Sequence, residues 1–96
     1  MADAGTADGT KRTLKILNKR GLHARAAAKF VRTAGQFDAA VRVTHGGQTV
    51  SGLSIMGLMM LAAGIGSDIE VSASGSQASE ALAALTELVT LKFGED

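Results

Sequence analysis

Leu14 and Ile16 alternate with the polar Thr13 and Lys15, the period-two pattern of a half-buried strand. From Ala24 to Ala34 the period changes: Ala27, Phe30, Val31 and Ala34 recur at i, i+3, i+4 and i+7 and line one face of a helix. Val41 and Val43, and then Thr49 to Gly52, predict two strands joined across Gly46-Gly47, a hairpin turn signal. A second helix is expected from Ser54 as N-cap to a stop before Gly64-Ile65-Gly66. Ile69, Val71 and Ala73 alternate as a last strand, and Ser76 is placed to cap a third helix carrying Ala78, Leu82, Leu85, Leu88 and Val89 inward. The order is βαββαβα. A chain of 96 residues cannot cover both faces of a sheet, so an antiparallel four-stranded sheet with three helices on one face follows. Met1 to Gly9 has no periodicity and is expected to be a flexible tail, leaving residues 10–96 as one domain.

The second helix breaks the pattern of the others. Ile55, Met56, Leu58, Met59, Met60 and Leu61 run nearly all the way round it. Some of these side chains must pack inward, but the three methionines are not all expected to do so. Methionine adapts to irregular contacts, so the helix reads either as a core element with methionine gap-fillers or as a docking patch.

Charge adds a site to this frame. Between Lys11 and Arg32 lie eight of the ten basic residues and no acid, and in their midst stands Gly21-Leu22-His23-Ala24-Arg25. Gly21 permits a tight turn, and the junction puts His23 where the first helix begins. The first N–H groups of a helix lack intrahelical partners, so they and the positive end of the helix dipole favour an anion there. A helix N-terminus and an arginine both disfavour imidazolium, which leaves a free ring nitrogen as nucleophile toward a phosphoryl donor. Arg25 offers a planar, permanently charged fork for phosphate oxygens. The plainer alternatives are a capping or surface histidine, an arginine whose stem covers apolar surface, and a solvated basic face.

Gly21-Leu22-His23-Ala24-Arg25-Ala26-Ala27 resembles the active-site segment of the HPr family, the histidine phosphocarriers of the bacterial phosphotransferase system. Ser54-Ile55-Met56-Gly57-Leu58 resembles the segment around that family's regulatory serine, and it lies 31 residues after His23, as in the family. The likeness runs from about Thr10 to Gly94. Asn18-Lys19 and Gly35-Gln36-Phe37-Asp38-Ala39 look more like the nitrogen-related NPr branch than the sugar-transport branch.

The resemblance implies an open-faced β-sandwich. It implies that His23 takes a phosphoryl group on Nδ1 from enzyme I, with phosphoenolpyruvate as ultimate donor, and passes it to a histidine of an EIIA-type protein. Arg25 matches the arginine that neutralises the phosphoryl group, and Ser54 matches the serine that HPr kinase/phosphorylase modifies in many bacteria. The face meeting these partners is expected to comprise Leu22, Ala24, Ala26, Leu53, Met56, Met59 and Met60. One departure stands out: many members have proline where this chain has Ala26, so an extra N–H is available and the helix entry is less rigid.

Composition narrows the alternatives. The hydrophobic share of 46% is that of a globular domain. The absence of cysteine rules out disulfides and thiolate chemistry, and two histidines, His23 and His45, are too few for a metal site; no cofactor is called for. Leu58 to Ala63, the longest apolar stretch, is too short to span a membrane, and a cytoplasmic monomer is the expectation. With no Tyr or Trp, and Phe30 in a helical apolar pattern, the basic stretch is not read as a nucleic-acid surface. From Asp38 onward seven acids face only Arg42 and Lys92, so a positive active-site face should steer acidic partners. Three classes of function follow: a phosphocarrier, a binding regulator read through its phosphorylation state, and an independent hydrolase. The last is disfavoured, because no carboxylate or second base lies near His23 in sequence.

Overall fold

A computed structural model describes residues 9–95. The elements are β1 (Gly9–Lys15), α1 (Ala24–Ala34), β2 (Ala40–His45), β3 (Gln48–Ser51), α2 (Ile55–Met60), β4 (Asp68–Ser74) and α3 (Ala78–Thr90), followed by a 3-10 turn at Lys92–Gly94. Of the expected tail, residues 1–8 lie outside the described residues, and Gly9 already pairs with Ser74 in the sheet.

The four strands form one sheet in the order β1-β4-β2-β3, every pair antiparallel. Alternation decides which side is dry: Leu14, Val41, Val43, Ile69, Val71 and Ala73 are buried beneath the helices. Ile16 lies one residue past β1 yet is wholly buried, because its N–H and C=O continue the ladder to Ser67 and Gly66. The β2–β3 hairpin closes at Gly46-Gly47, both at positive φ, as a two-residue turn between twisted strands requires.

The helices close the core with their apolar faces. Ala27, Phe30 and Ala34 of α1 are buried, joined by Ala26, and Ala78, Ala81, Leu82, Leu85 and Val89 do the same on α3. α3 packs on β1 and β4, and α1 packs on both α2 and α3. α2 buries Leu58, followed by Leu61, and leaves its methionines outside. Its N-cap is Ser54, whose Oγ accepts from Gly57 N–H at 2.9 Å.

The cap of α3 departs from expectation. Gln77 occupies the N-cap position, and Ser76 instead donates its hydroxyl to the Asp38 carboxylate. Gln77 Oε1 accepts from Asp38 N–H at 2.7 Å, so both side chains serve to tie the α1–β2 connection to the start of α3. A serine beside an apolar run looks like a cap in sequence; a carboxylate 38 residues away takes it in space.

Candidate functional site

The site is built on the turn between β1 and α1. Gly21 sits at φ +64°, and a Cβ there would stand 2.3 Å from Ala63 O, so the position has room only for glycine. This close approach lets Leu22 N–H donate to Ala63 O at 3.0 Å, which ties the turn to the segment after α2. Asn18 is wholly buried beneath it and donates from Nδ2 to Gly21 O at 2.8 Å.

His23 is the N-cap of α1: its backbone is extended and its carbonyl accepts from Ala27 N–H at 2.8 Å. The N–H groups of Ala24, Arg25 and Ala26 therefore have no partner within the helix. The imidazole makes no capping hydrogen bond. It turns instead to Glu95, whose Oε2 meets Nε2 in a short, largely sheltered contact, the two side chains being 15% and 17% exposed.

Glu95 reaches the site because the chain reverses after α3. Lys92, Phe93 and Gly94 all have positive φ, Phe93 is wholly buried as an anchor, and Lys29 on α1 donates from Nζ to Phe93 O at 2.6 Å. Asn18 Nδ2 then donates to Glu95 Oε1 at 3.0 Å, so both carboxylate oxygens are engaged. Burial pushes the Glu95 carboxyl up, but the hydrogen bonds from Asn18 and His23, the charge that His23 carries when protonated, and the charge of Arg20 outweigh it and hold its pKa below the ordinary value. Glu95 lies beside a hollow of about 410 Å³, also lined by Lys19, Arg20, Arg25, Lys29 and Gly94. Four cations around one carboxylate give this hollow a net positive charge.

Neither Glu95 nor the positioning role of Asn18 was expected from sequence. No local pattern marks Glu95, which lies 72 residues from His23 and follows a left-handed turn that includes two non-glycine residues. Phe93 followed by Gly94 is the one local signal that the chain folds back there.

Two expected contact residues are not at the surface. Leu22 and Ala26 are 5% and 0% exposed and belong to the core, so they cannot offer area to a partner. Ala24 is exposed, as are Leu53, Met56 at 73%, Met59 and Met60 at 71%, the last three on the outer side of a helix that packs against α1. The basic stretch is also divided. Lys11 and Lys15 face Glu70 and Asp68 across the β1–β4 ladder, and Arg12 donates to Thr86 Oγ1 on α3. Only the bases from Lys19 to Lys29 gather at the hollow. His45 lies elsewhere, its Nδ1 against Asp68 O.

A four-stranded antiparallel sheet under three helices, with a histidine at a helix N-terminus beside a basic hollow, defines a class of small histidine phosphocarriers. The chain belongs to the family described as "PTS HPr component phosphorylation site", whose model matches residues 10–90. It is 52% identical over 85 residues to the phosphocarrier protein HPr of Neisseria meningitidis, covering 88% of this chain and 96% of that one. The phosphocarrier protein NPr of Shewanella violacea is 42% identical, with 88% and 93% covered. The crystal structure of HPr from Thermoanaerobacter tengcongensis superposes with a TM-score of 0.87 at 42% identity, covering 91% of this chain and 98% of that one. The fold is the open-faced β-sandwich of that family. The protein is a phosphocarrier-type component of the phosphotransferase system rather than an independent catalyst, and its family implies enzyme I and EIIA-type proteins as partners. Among the described residues no helix is long and apolar enough to cross a membrane.

Proposed function

We propose that His23 accepts a phosphoryl group on Nδ1 from enzyme I, charged ultimately by phosphoenolpyruvate, and hands it to a histidine of an EIIA-type protein. The observation that carries this reading is the placement of His23: an N-cap residue whose imidazole is not spent on capping, at a helix end with unpartnered N–H groups, beside a hollow lined by four bases. In the transfer the Nδ1 lone pair forms a bond to phosphorus. The N–P bond on enzyme I breaks, and its electron pair returns to that nitrogen. Arg25, exposed at the hollow, meets the phosphoryl oxygens as a cation. Onward transfer is the same step in reverse toward the acceptor.

Ala24, Leu53, Met56, Met59 and Met60 form the docking surface, apolar and adaptable enough for donor and acceptor in turn. Ser54 begins the helix that carries this surface and is the proposed site of modification by HPr kinase/phosphorylase. A phosphate there would put about −2 charge beside the methionines and repel an apolar partner. The Asn18-Lys19 and Gly35 to Ala39 segments resemble the nitrogen-related branch, and on them rests the reading of a regulatory, nitrogen-type pathway; the carrier is taken to act as a monomer. The exposed methionine surface also suits a second reading, a regulator whose phosphorylation state other proteins sense without onward transfer.

Incubation with enzyme I and phosphoenolpyruvate tests the assignment. Intact mass should rise by one phosphoryl group that is base-stable and acid-labile, and His23→Ala should abolish the gain. No gain with either the sugar-type or the nitrogen-type enzyme I would refute the carrier role.

A further inference from the structure

The contact between His23 and Glu95 has a consequence for which nitrogen reacts. An ionised carboxylate has lone pairs but no proton, so it can only accept hydrogen bonds. Glu95 fits that state: Asn18 Nδ2 donates to Oε1 at 3.0 Å, and Arg20 lines the same hollow. The partner at Oε2 must then be a donor, which places the proton of the neutral imidazole on Nε2. Nδ1 is left with its lone pair, and among the described residues no group hydrogen-bonds to it. Asn18 is itself held by burial and by its bond to Gly21 O at 2.8 Å, so the carboxylate has a rigid seat. Lys29, bonded to Phe93 O at 2.6 Å, fixes the backbone that delivers it.

We propose that Glu95 is a positioning residue for the transfer: seated by Asn18, it keeps the His23 proton on Nε2 and so presents Nδ1 as the nucleophile. This rests on His23 being the phosphoryl acceptor. When Nδ1 bonds to phosphorus and the donor's N–P bond breaks, the Nε2 proton stays in place and the ring becomes cationic. Glu95 then faces a positive ring instead of a neutral one and its hydrogen bond to Nε2–H strengthens, while the negative charge of the phosphoryl group on Nδ1 falls to Arg25 and the other bases of the hollow. The carboxylate therefore favours phosphorylation of Nδ1 without touching the phosphoryl group.

The test uses the full chain labelled with ¹⁵N-histidine and needs no donor enzyme for its first arm. Wild type should show a downfield, slowly exchanging His23 Nε2–H proton, and Glu95→Ala should lose it to solvent exchange. In the second arm the rate of phosphoryl transfer from enzyme I should fall about tenfold in Glu95→Ala, the loss of one charge-assisted hydrogen bond, in kcat rather than KM. Glu95→Gln, which keeps the shape and an acceptor oxygen but no charge, should fall between the two. An Nε2–H signal unchanged in Glu95→Ala would overturn the proposal, as would a lost signal with an unchanged rate. If instead wild type is never phosphorylated, the carrier reading fails on its own evidence while the proton assignment still stands on the first arm.

Discussion

At the scale of single residues, the site depends on backbone geometry before it depends on chemistry. Gly21 is the clearest case, since positive φ and a close carbonyl coincide there. Gly21→Ala is expected to cost about 2 kcal/mol or more, from left-handed strain plus the clash with Ala63 O. Chemical denaturation should show the loss, and amide exchange should show the Leu22 N–H opening faster than in wild type, because its bond to Ala63 O is the contact displaced. A stability equal to wild type would mean that the turn can relax away from Ala63. His23, Arg25 and Gly21 stand out as a candidate site because they are neighbours in sequence. Glu95 was not, because only the buried Phe93 and the reversal at Lys92–Gly94 bring it to His23. The same limit hid the burial of Leu22 and Ala26: adjacency to His23 says nothing about which way a side chain points.

At the scale of elements, period and punctuation carried most of the fold. The 3.6-residue pattern gave α1 its bounds, Ala24 to Ala34, and the Gly46-Gly47 pair gave the hairpin, since each feature is local. The start of α3 was misread because Ser76 and Gln77 answer to Asp38, a long-range partner. α2 was read through its lack of a polar face, and its division into buried Leu58 and exposed methionines follows from packing one side of a short helix against α1. Ser54 has two roles on this element that mutations separate. Ser54→Ala removes the acceptor for Gly57 N–H and should cost about 1 kcal/mol, measured by denaturation. Ser54→Asp retains a capping oxygen and should keep the fold while weakening the docking of enzyme I, measured by titration. Wild-type docking in that variant would remove the methionine surface from the donor interface.

At the scale of the molecule, charge is arranged more sparingly than the basic stretch suggests. The β1 lysines are matched by acids across the sheet, which leaves the hollow near His23 as a compact positive region with one internal carboxylate. Exposed pairs such as Lys15 with Asp68 contribute little to stability, and their effect is to offset the charge of the β1 lysines locally. The sheet and α3 supply a base; the turn before α1 and the reversal after α3 meet on it, and the His23 imidazole sits between them. In the proposed transfer this arrangement holds Nε2 against Glu95 and leaves Nδ1 to react.

The attachment point of the phosphoryl group on ¹⁵N-histidine-labelled protein, charged by enzyme I and phosphoenolpyruvate and read by ¹⁵N and ³¹P NMR, tests that arrangement most directly. The account predicts phosphorus on Nδ1 of His23 with Nε2 still protonated against Glu95. Phosphorus on Nε2, or on any residue other than His23, would contradict it.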